Sequence, residues 1–143
     1  MTSSVCLDSN VIVGYLDQED ALHQRAKALL EKLERDHVLV LLDFVVGEAL
    51  SALCRRAFER RRQPPALGAI LERVRTWHQR GQIVFGELDA ESFGAVLDIV
   101  EQSRGELNFH DARLVVLQRA GTIGGVASFD PDFDRIEGFL RIS

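Results

Sequence analysis

Short apolar runs alternate along the chain with longer segments in which apolar residues recur at helical spacing. The runs that predict buried strands are SSVCLD, HVLVLLD, QIVFGEL and GGVASFD, with EGFLRIS as a short fifth. The helical segments between them are SNVIVGYLD, residues 20–36, DFVVGEALSALCRRAFERR, ALGAILERVRTWHQRG, DAESFGAVLDIVEQSRG and NFHDARLVVLQRAG. This alternation predicts right-handed βαβ units, and hence an α/β fold with a mainly parallel sheet flanked by helices. A chain of 143 residues fits one such domain, over residues 1–143.

Residues at the ends of the predicted helices support these boundaries. Asp8 or Ser9 can cap the first helix, and Asn108 can cap the last one. Gly81 and Gly121 follow the fourth and sixth helices, where glycine often ends a helix in the left-handed conformation.

The charge balance is acidic, but the basic residues are unevenly spread. Seventeen basic and 22 acidic residues give a formal net charge of −5. Five arginines crowd into one stretch: Arg55, Arg56, Arg60, Arg61 and Arg62. Guanidinium groups pair with planar anions such as phosphate, and the same residues could equally compensate the C-terminus of a helix.

Nothing in the sequence indicates export or membrane insertion. The first residues lack the basic start and apolar stretch of a secretory signal, and no apolar run approaches the roughly 18 residues of a membrane span. Cys6 and Cys54 lie inside apolar patterns, where free cysteine commonly acts as a small hydrophobe. We therefore expect a cytoplasmic protein without disulfides.

Four acidic residues stand where a carboxylate needs an explanation. Asp8 and Asp130 directly follow predicted strands, and the carboxyl ends of parallel strands border the crevice where ligands bind. Glu48 and Asp111 lie on the apolar stripes of two predicted helices, where an unpaired carboxylate is costly. Singly, Asp8 could merely cap a helix and Asp130 could begin the turn before Pro131. Together they would repel one another, and a divalent cation would remove that conflict.

All-oxygen ligands select Mg²⁺ or Mn²⁺ over zinc. The four histidines lack the spacing of paired zinc ligands, which argues against a zinc hydrolase. The phosphate-binding motifs GxxxxGK[ST] and GxGxxG are also absent. His110, next to Asp111, is interpreted as an exposed or packing histidine rather than as a base. A dehalogenase-type phosphatase would need a second Asp where Asn10 stands, and a receiver domain would need an acidic pair and a late lysine.

Four segments carry a resemblance to PIN-domain ribonucleases: LDSNVIVGYL, VVGEALSAL, LNFHDARLVVLQRAG and ASFDPDFDRI. The resemblance runs over almost the whole chain and implies a three-layer PIN-like domain with a Mg²⁺- or Mn²⁺-dependent endoribonuclease site. It also implies the site residues: Asp8, Glu48 and Asp111 as the nearest metal ligands, Asp130 acting directly or through water, and Asn10 and Ser128 orienting them.

The segment FDPDFDR leaves a choice among three acids. Asp130 follows the strand most directly and is the best match to the family. Asp132 is the reserve, and Asp134 is interpreted as solvated or as the start of a helix.

A PIN domain of this length also resembles the toxin of VapBC-type toxin–antitoxin pairs. This implies a homodimer, an RNA substrate and a small antitoxin whose C-terminal segment lies over the acidic groove. The arginine group and Trp77 could then serve the antitoxin, the RNA or the dimer. The alternatives are a PIN nuclease of RNA processing and a non-catalytic PIN-like binding module.

Overall fold

The computed structural model describes residues 3–60 and 66–143. Its strands are β1 (Ser4–Leu7), β2 (Val38–Leu42), β3 (Ile83–Val84), β4 (Gly125–Ala127) and β5 (Arg141–Ile142). Its α-helices are α1 (Ser9–Leu16), α2 (His23–Asp36), α3 (Asp43–Glu59), α4 (Leu67–Gln79), α5 (Ala90–Gln102) and α6 (Phe109–Arg119), and a 3-10 helix spans Pro131–Arg135. The strands form one sheet in the order β3-β2-β1-β4-β5, and every neighbouring pair is parallel. The predicted three-layer α/β fold is confirmed.

The element boundaries differ from the predicted ones mainly where polar side chains form turns. The second helix begins at His23 rather than near Asp20, because Asp20 accepts a hydrogen bond from the Leu22 amide and closes a turn. QIVFGEL and EGFLRIS shorten to two-residue strands. Arg61 and Arg62, which belong to the arginine group, lie outside the described residues.

The order of the strands creates a crevice beside β1. The chain runs outward from β1 to β3 and then returns to β4 on the other side of β1. The carboxyl ends of β1 and β4 therefore lie at a topological switch point, where open α/β sheets bind ligands. Gly124 permits the close approach of these strands, because a Cβ there would lie 2.8 Å from the Ser4 carbonyl oxygen.

The core lies on both faces of β1, whose apolar side chains are almost completely buried. Residues from α1, α2, α3 and α6 pack around it, among them Leu33, Leu53 and Leu114. Cys6 is buried in this core and Cys54 is exposed, and both are free thiols. No helix within the described ranges is long and apolar enough to cross a membrane.

Candidate functional site

Asp8 stands at the carboxyl end of β1 and is also the N-cap of α1. Its side chain is only 4% exposed. The Ser9 amide donates to Oδ1 at 2.8 Å, and the Ser128 hydroxyl donates to Oδ2 at 2.6 Å. Burial raises the pKa of Asp8, the hydrogen bonds from Ser128 and Ser9 lower it, and the charges of Glu48 and Asp130 raise it, with a net rise.

Asn10 and Ser128 tie the ends of β1 and β4 together. The Asn10 amide nitrogen donates to Ser128 Oγ at 3.2 Å and to Asp8 Oδ2 at 3.4 Å. Its amide oxygen accepts from the Phe129 backbone N–H at 3.1 Å. Ser128 Oγ also accepts from the Asp130 amide at 3.1 Å. These two residues contact Asp8 and the segment that carries Asp130, which is the geometry that an orienting role requires.

Glu48 approaches the site from α3 and is half-buried. The Ser9 hydroxyl donates to Glu48 Oε1 at 3.3 Å, which links the first turn of α1 to α3. Its charge raises the pKa of both Asp8 and Asp111, so its carboxylate lies near theirs.

Asp111 has a structural hydrogen bond in addition to its place beside the other acids. It forms a capping box with Asn108: the Asn108 side chain accepts from the Asp111 amide at 2.9 Å, and Asp111 Oδ2 accepts from the Asn108 amide at 3.3 Å. Burial and the charge of Asp8 raise the pKa of Asp111 to about 7, together with Asp130 and Glu48 and against the Asn108 amide. At neutral pH this carboxyl is therefore partly protonated.

The three acids of FDPDFDR point to different surroundings. Asp130 caps the 3-10 helix through the Asp132 amide, and its charge raises the pKa of Asp8 and Asp111. Asp132 instead lines an outer cavity with Arg135, whose pKa is raised mainly by Glu106 and only slightly by Asp132. Asp134 is exposed and accepts two hydrogen bonds from Arg141 at 2.8 Å.

Asp8, Glu48, Asp111 and Asp130, hereafter the acidic site, thus come from four elements and influence one another. Within the described residues none of them makes a salt bridge with a basic side chain. Glu48, Asp111 and Asp130 each keep one carboxylate oxygen without a hydrogen bond in the described structure. Carboxylate oxygens are the donors that hard divalent cations take.

The donor set fits such a cation better than the present side-chain positions do. Among residues 3–60 and 66–143, no three His, Cys, Asp or Glu side chains are arranged so that they could hold one metal ion together. Coordination by more than two of the acids would therefore require a change of side-chain rotamer. Glu48, Asp111 and Asp130 are the less restrained acids, since each carboxylate accepts one hydrogen bond from within the described chain, whereas that of Asp8 accepts three.

Two arginine–phenyl pairs beside the acidic site were not anticipated from the sequence. The Arg113 guanidinium lies over the Phe44 ring at 4.0 Å from its centroid, and His110 stacks on the same ring. The Arg25 guanidinium lies over Phe129 at 4.6 Å. Partners from distant segments form both pairs, so no local spacing marks them. His110 is exposed and packs on aromatic rings, as expected.

The described members of the arginine group are partly engaged within the chain. Arg56 donates to Asp17 at 2.8 Å and to Asp20 at 2.7 Å, and Arg60 approaches Asp17 at 3.6 Å. Arg55 is exposed. Trp77 is buried and stacks with Tyr15 at 6.2 Å between ring centroids.

Comparison with known proteins agrees with this architecture. VapC20 of Mycobacterium tuberculosis, a toxin that cleaves the sarcin–ricin loop, aligns over 96% of this chain and 98% of its own with a TM-score of 0.70 and 20% identity. VapBC2 of Rickettsia felis, solved with a promoter DNA fragment, aligns over 97% of both chains with a TM-score of 0.66 and 12% identity. FitAcB of Neisseria gonorrhoeae aligns over 97% of this chain and 96% of its own, with a TM-score of 0.58 and 18% identity.

At these identities the structural likeness establishes the fold alone. Comparison with curated protein sequences gives no significant match. The family model of the PIN domain, however, matches residues 5–138, which is nearly the whole chain. This chain therefore belongs to the PIN domain family.

Proposed function

We propose that this protein is a divalent-metal-dependent endoribonuclease whose metal ligands are Asp8, Glu48, Asp111 and Asp130. The observation that carries the proposal is the acidic site itself: four carboxylates without a basic partner among the described residues lie near a switch point of the sheet, close enough to shift the pKa of Asp8 and Asp111. Burial and mutual repulsion raise the pKa of Asp8 and Asp111, so the arrangement costs free energy unless a cation compensates it. Mg²⁺ and Mn²⁺ suit these oxygen donors.

Each residue of the site has a task that its contacts support. Asp8 is fixed by Ser9 and Ser128 and serves as the rigid ligand. Asn10 and Ser128 hold the end of β4, which keeps Asp130 near enough to raise the pKa of Asp8. When bound, the cation would polarise a phosphate oxygen and activate the attacking water. Asp111, whose pKa is about 7, would release its proton as the ligand set forms.

Cleavage of RNA by the purified protein tests this proposal. We expect nicking of structured RNA in Mg²⁺ or Mn²⁺, including a sarcin–ricin hairpin of the kind that VapC20 cleaves, and no cleavage in EDTA. Asp8→Asn, Glu48→Gln, Asp111→Asn and Asp130→Asn should each lower the rate by about a hundredfold or more. Robust cleavage in EDTA would exclude the metal-dependent mechanism.

Two neighbouring acids provide matched controls for Asp130. Asp132→Asn and Asp134→Asn each remove a carboxylate from the 3-10 helix that follows Asp130. Neither carboxylate is among those that raise the pKa of Asp8 or Asp111. Both variants should retain the wild-type rate within about twofold, on the scale of a surface substitution. If Asp132→Asn lost activity and Asp130→Asn kept it, Asp132 rather than Asp130 would be the metal ligand.

We further propose that the nuclease acts in the cytoplasm as the toxin of a toxin–antitoxin pair, as a homodimer that a small antitoxin inhibits. The supporting likeness is to VapC20, which is a toxin, and to VapBC2, which carries the name of VapBC-type pairs. Induction of the wild-type gene in bacteria should arrest growth, and Asp8→Asn at equal expression should not. Equal arrest by both would contradict the nuclease-toxin function, whereas RNA cleavage without arrest would favour a role in RNA processing.

A further inference from the structure

The arginines of this chain differ in what their guanidinium groups contact. Among the arginines that the structure describes, five pair with carboxylates of the chain: Arg56, Arg60, Arg75, Arg135 and Arg141. Arg25 and Arg113 make no salt bridge within the part of the chain that is described, and each lies on a phenyl ring instead. Their positive charge is therefore not compensated by a carboxylate in contact.

The two rings occupy equivalent places on the strands that flank β1. Phe44 is two residues beyond the end of β2, and Phe129 is two residues beyond the end of β4. Because β2 and β4 are the two neighbours of β1, the rings bracket Asp8 at the carboxyl edge of the sheet. Two strand spacings separate these strands by about 10 Å. One guanidinium is thus held beside the phenyl ring that follows β2, and the other beside the phenyl ring that follows β4, on opposite sides of β1.

Each of these guanidinium groups is held on a phenyl ring rather than on a carboxylate. A cation–π contact of this kind contributes attraction that competes with an exposed ion pair. The Arg113 side chain is held further by a hydrogen bond from Nη2 to the Gly86 carbonyl oxygen at 3.3 Å. Its Nε is buried and has no hydrogen-bond partner in the described structure. Each arginine carries five N–H donors. In Arg113 the donors left for an incoming anion are those of Nη1 and the second hydrogen of Nη2.

We propose that Arg25 and Arg113 bind phosphates of an RNA strand on the two sides of the acidic site, so that the strand crosses over Asp8. The inference rests on RNA being the substrate. Guanidinium groups bind phosphate through paired hydrogen bonds. With the arginines held on Phe129 and Phe44, the carboxylates stay free for a cation while the flanking phosphates are neutralised.

Salt-dependent binding of a labelled single-stranded RNA tests the proposal. All variants carry Asp8→Asn to prevent cleavage, and fluorescence anisotropy gives the Kd over a range of KCl concentrations at fixed Mg²⁺. Each phosphate contact on a single strand contributes about −0.7 to the slope of log K against log salt. Arg25→Gln and Arg113→Gln should each weaken binding and reduce the steepness by about 0.7, and the double variant by about 1.4. Lysine at either position keeps the charge and should keep the slope.

Arg35→Gln and Arg119→Gln are the matched controls, because they lie on the same helices near the other edge of the sheet. Arg35 is on α2 about 15 Å along the axis from Arg25, and Arg119 is on α6 about 9 Å from Arg113. Both controls should bind like the parent. If the glutamine variants of Arg25 and Arg113 match these controls, the phosphate contacts are excluded. If the Asp8→Asn protein with both arginines intact binds no RNA, the result contradicts the proposed function itself and not only the role of the two arginines. Thermal melts confirm that every variant is folded.

Discussion

Two groups of carboxylates in this protein have similar composition and opposite electrostatics. Asp17 and Asp20, the paired acids, lie against Arg56 and Arg60 where the C-terminus of α1 meets the end of α3. Partial burial raises the pKa of Asp20, but the Leu22 amide and Arg56 lower it further, so the net shift is downward.

In the acidic site the shifts go the other way. The pKa values of Asp8 and Asp111 rise through burial and through neighbouring acids, and no described arginine pairs with either carboxylate. The paired acids therefore stabilise the fold at neutral pH, while the acidic site lowers its stability. Under the proposed function, a bound cation would supply the charge that compensates this cluster.

Removing one member of each group should give the largest contrast in stability. Asp17 is 1% exposed, and Asp17→Asn leaves Arg56 and Arg60 without their shared buried partner. We expect the free energy of unfolding to fall by about 2–3 kcal/mol, below the usual range for a buried pair because Arg56 is 28% exposed. Asp111→Asn keeps the oxygen that accepts from Asn108 and should leave the metal-free protein unchanged or more stable.

Urea unfolding of both variants in EDTA measures this contrast. A large loss of stability in Asp111→Asn would mean that its capping box outweighs the repulsion. In that case Asp111 would act mainly as a structural residue.

The pH dependence of stability should have opposite signs in the two groups. Between about pH 4 and pH 7 the folded protein keeps a proton on Asp111 that the unfolded chain releases. Raising the pH through this window therefore lowers the stability of the wild type relative to Asp111→Asn. Asp20 has a lowered pKa, so its contribution is present above about pH 4 and is lost as the pH falls through its folded value.

Melts in EDTA would show the two trends. Wild type and Asp111→Asn are compared between about pH 4 and pH 7, and wild type and Asp20→Asn from about pH 5 down to about pH 2. Parallel curves for the wild type and Asp111→Asn would contradict the raised pKa.

Divalent cations should change only the acidic site. At Mg²⁺ ten times above its dissociation constant, the wild type gains about 1.4 kcal/mol. For a domain of this size the gain raises Tm by about 3–6 °C. Asp111→Asn should gain much less because it lacks an anionic ligand, and Asp20→Asn should gain as much as the wild type. Equal shifts in all three proteins would show that the cation binds elsewhere.

The acidic site can be predicted from the sequence, whereas the ion pairs of Asp17 and Asp20 cannot. The strand ends that carry Asp8 and Asp130, and the apolar helices that carry Glu48 and Asp111, follow from local patterns in the sequence. The pairing of Arg56 with Asp17 and Asp20 does not, because it joins residues 39 and 36 positions apart. The phenyl contacts of Arg25 and Arg113 were missed for the same reason. Local periodicity reports which face of an element is buried, but not which distant side chain meets it.

The smallest expected effect concerns Ser9. Its neutral hydroxyl donates a hydrogen bond to Glu48, whereas the paired acids receive theirs from a charged arginine. Ser9→Ala removes the 3.3 Å hydrogen bond to Glu48 Oε1 and leaves the Ser9 amide to Asp8 in place. A single partly exposed hydrogen bond contributes about 0.5–1 kcal/mol. In the metal-free protein, Glu48 can then turn away from Asp8 and Asp111, which reduces the repulsion between the carboxylates. This gain offsets the lost hydrogen bond, so Tm should hardly change. In Mg²⁺ the misplaced carboxylate should lower kcat/KM by about two- to fivefold, which corresponds to the same free energy.

Ser51→Ala, an exposed position on the helix that carries Glu48, is the control and should leave both Tm and kcat/KM unchanged. If Ser9→Ala lowered Tm and left kcat/KM unaltered, the hydroxyl would support the fold rather than orient Glu48.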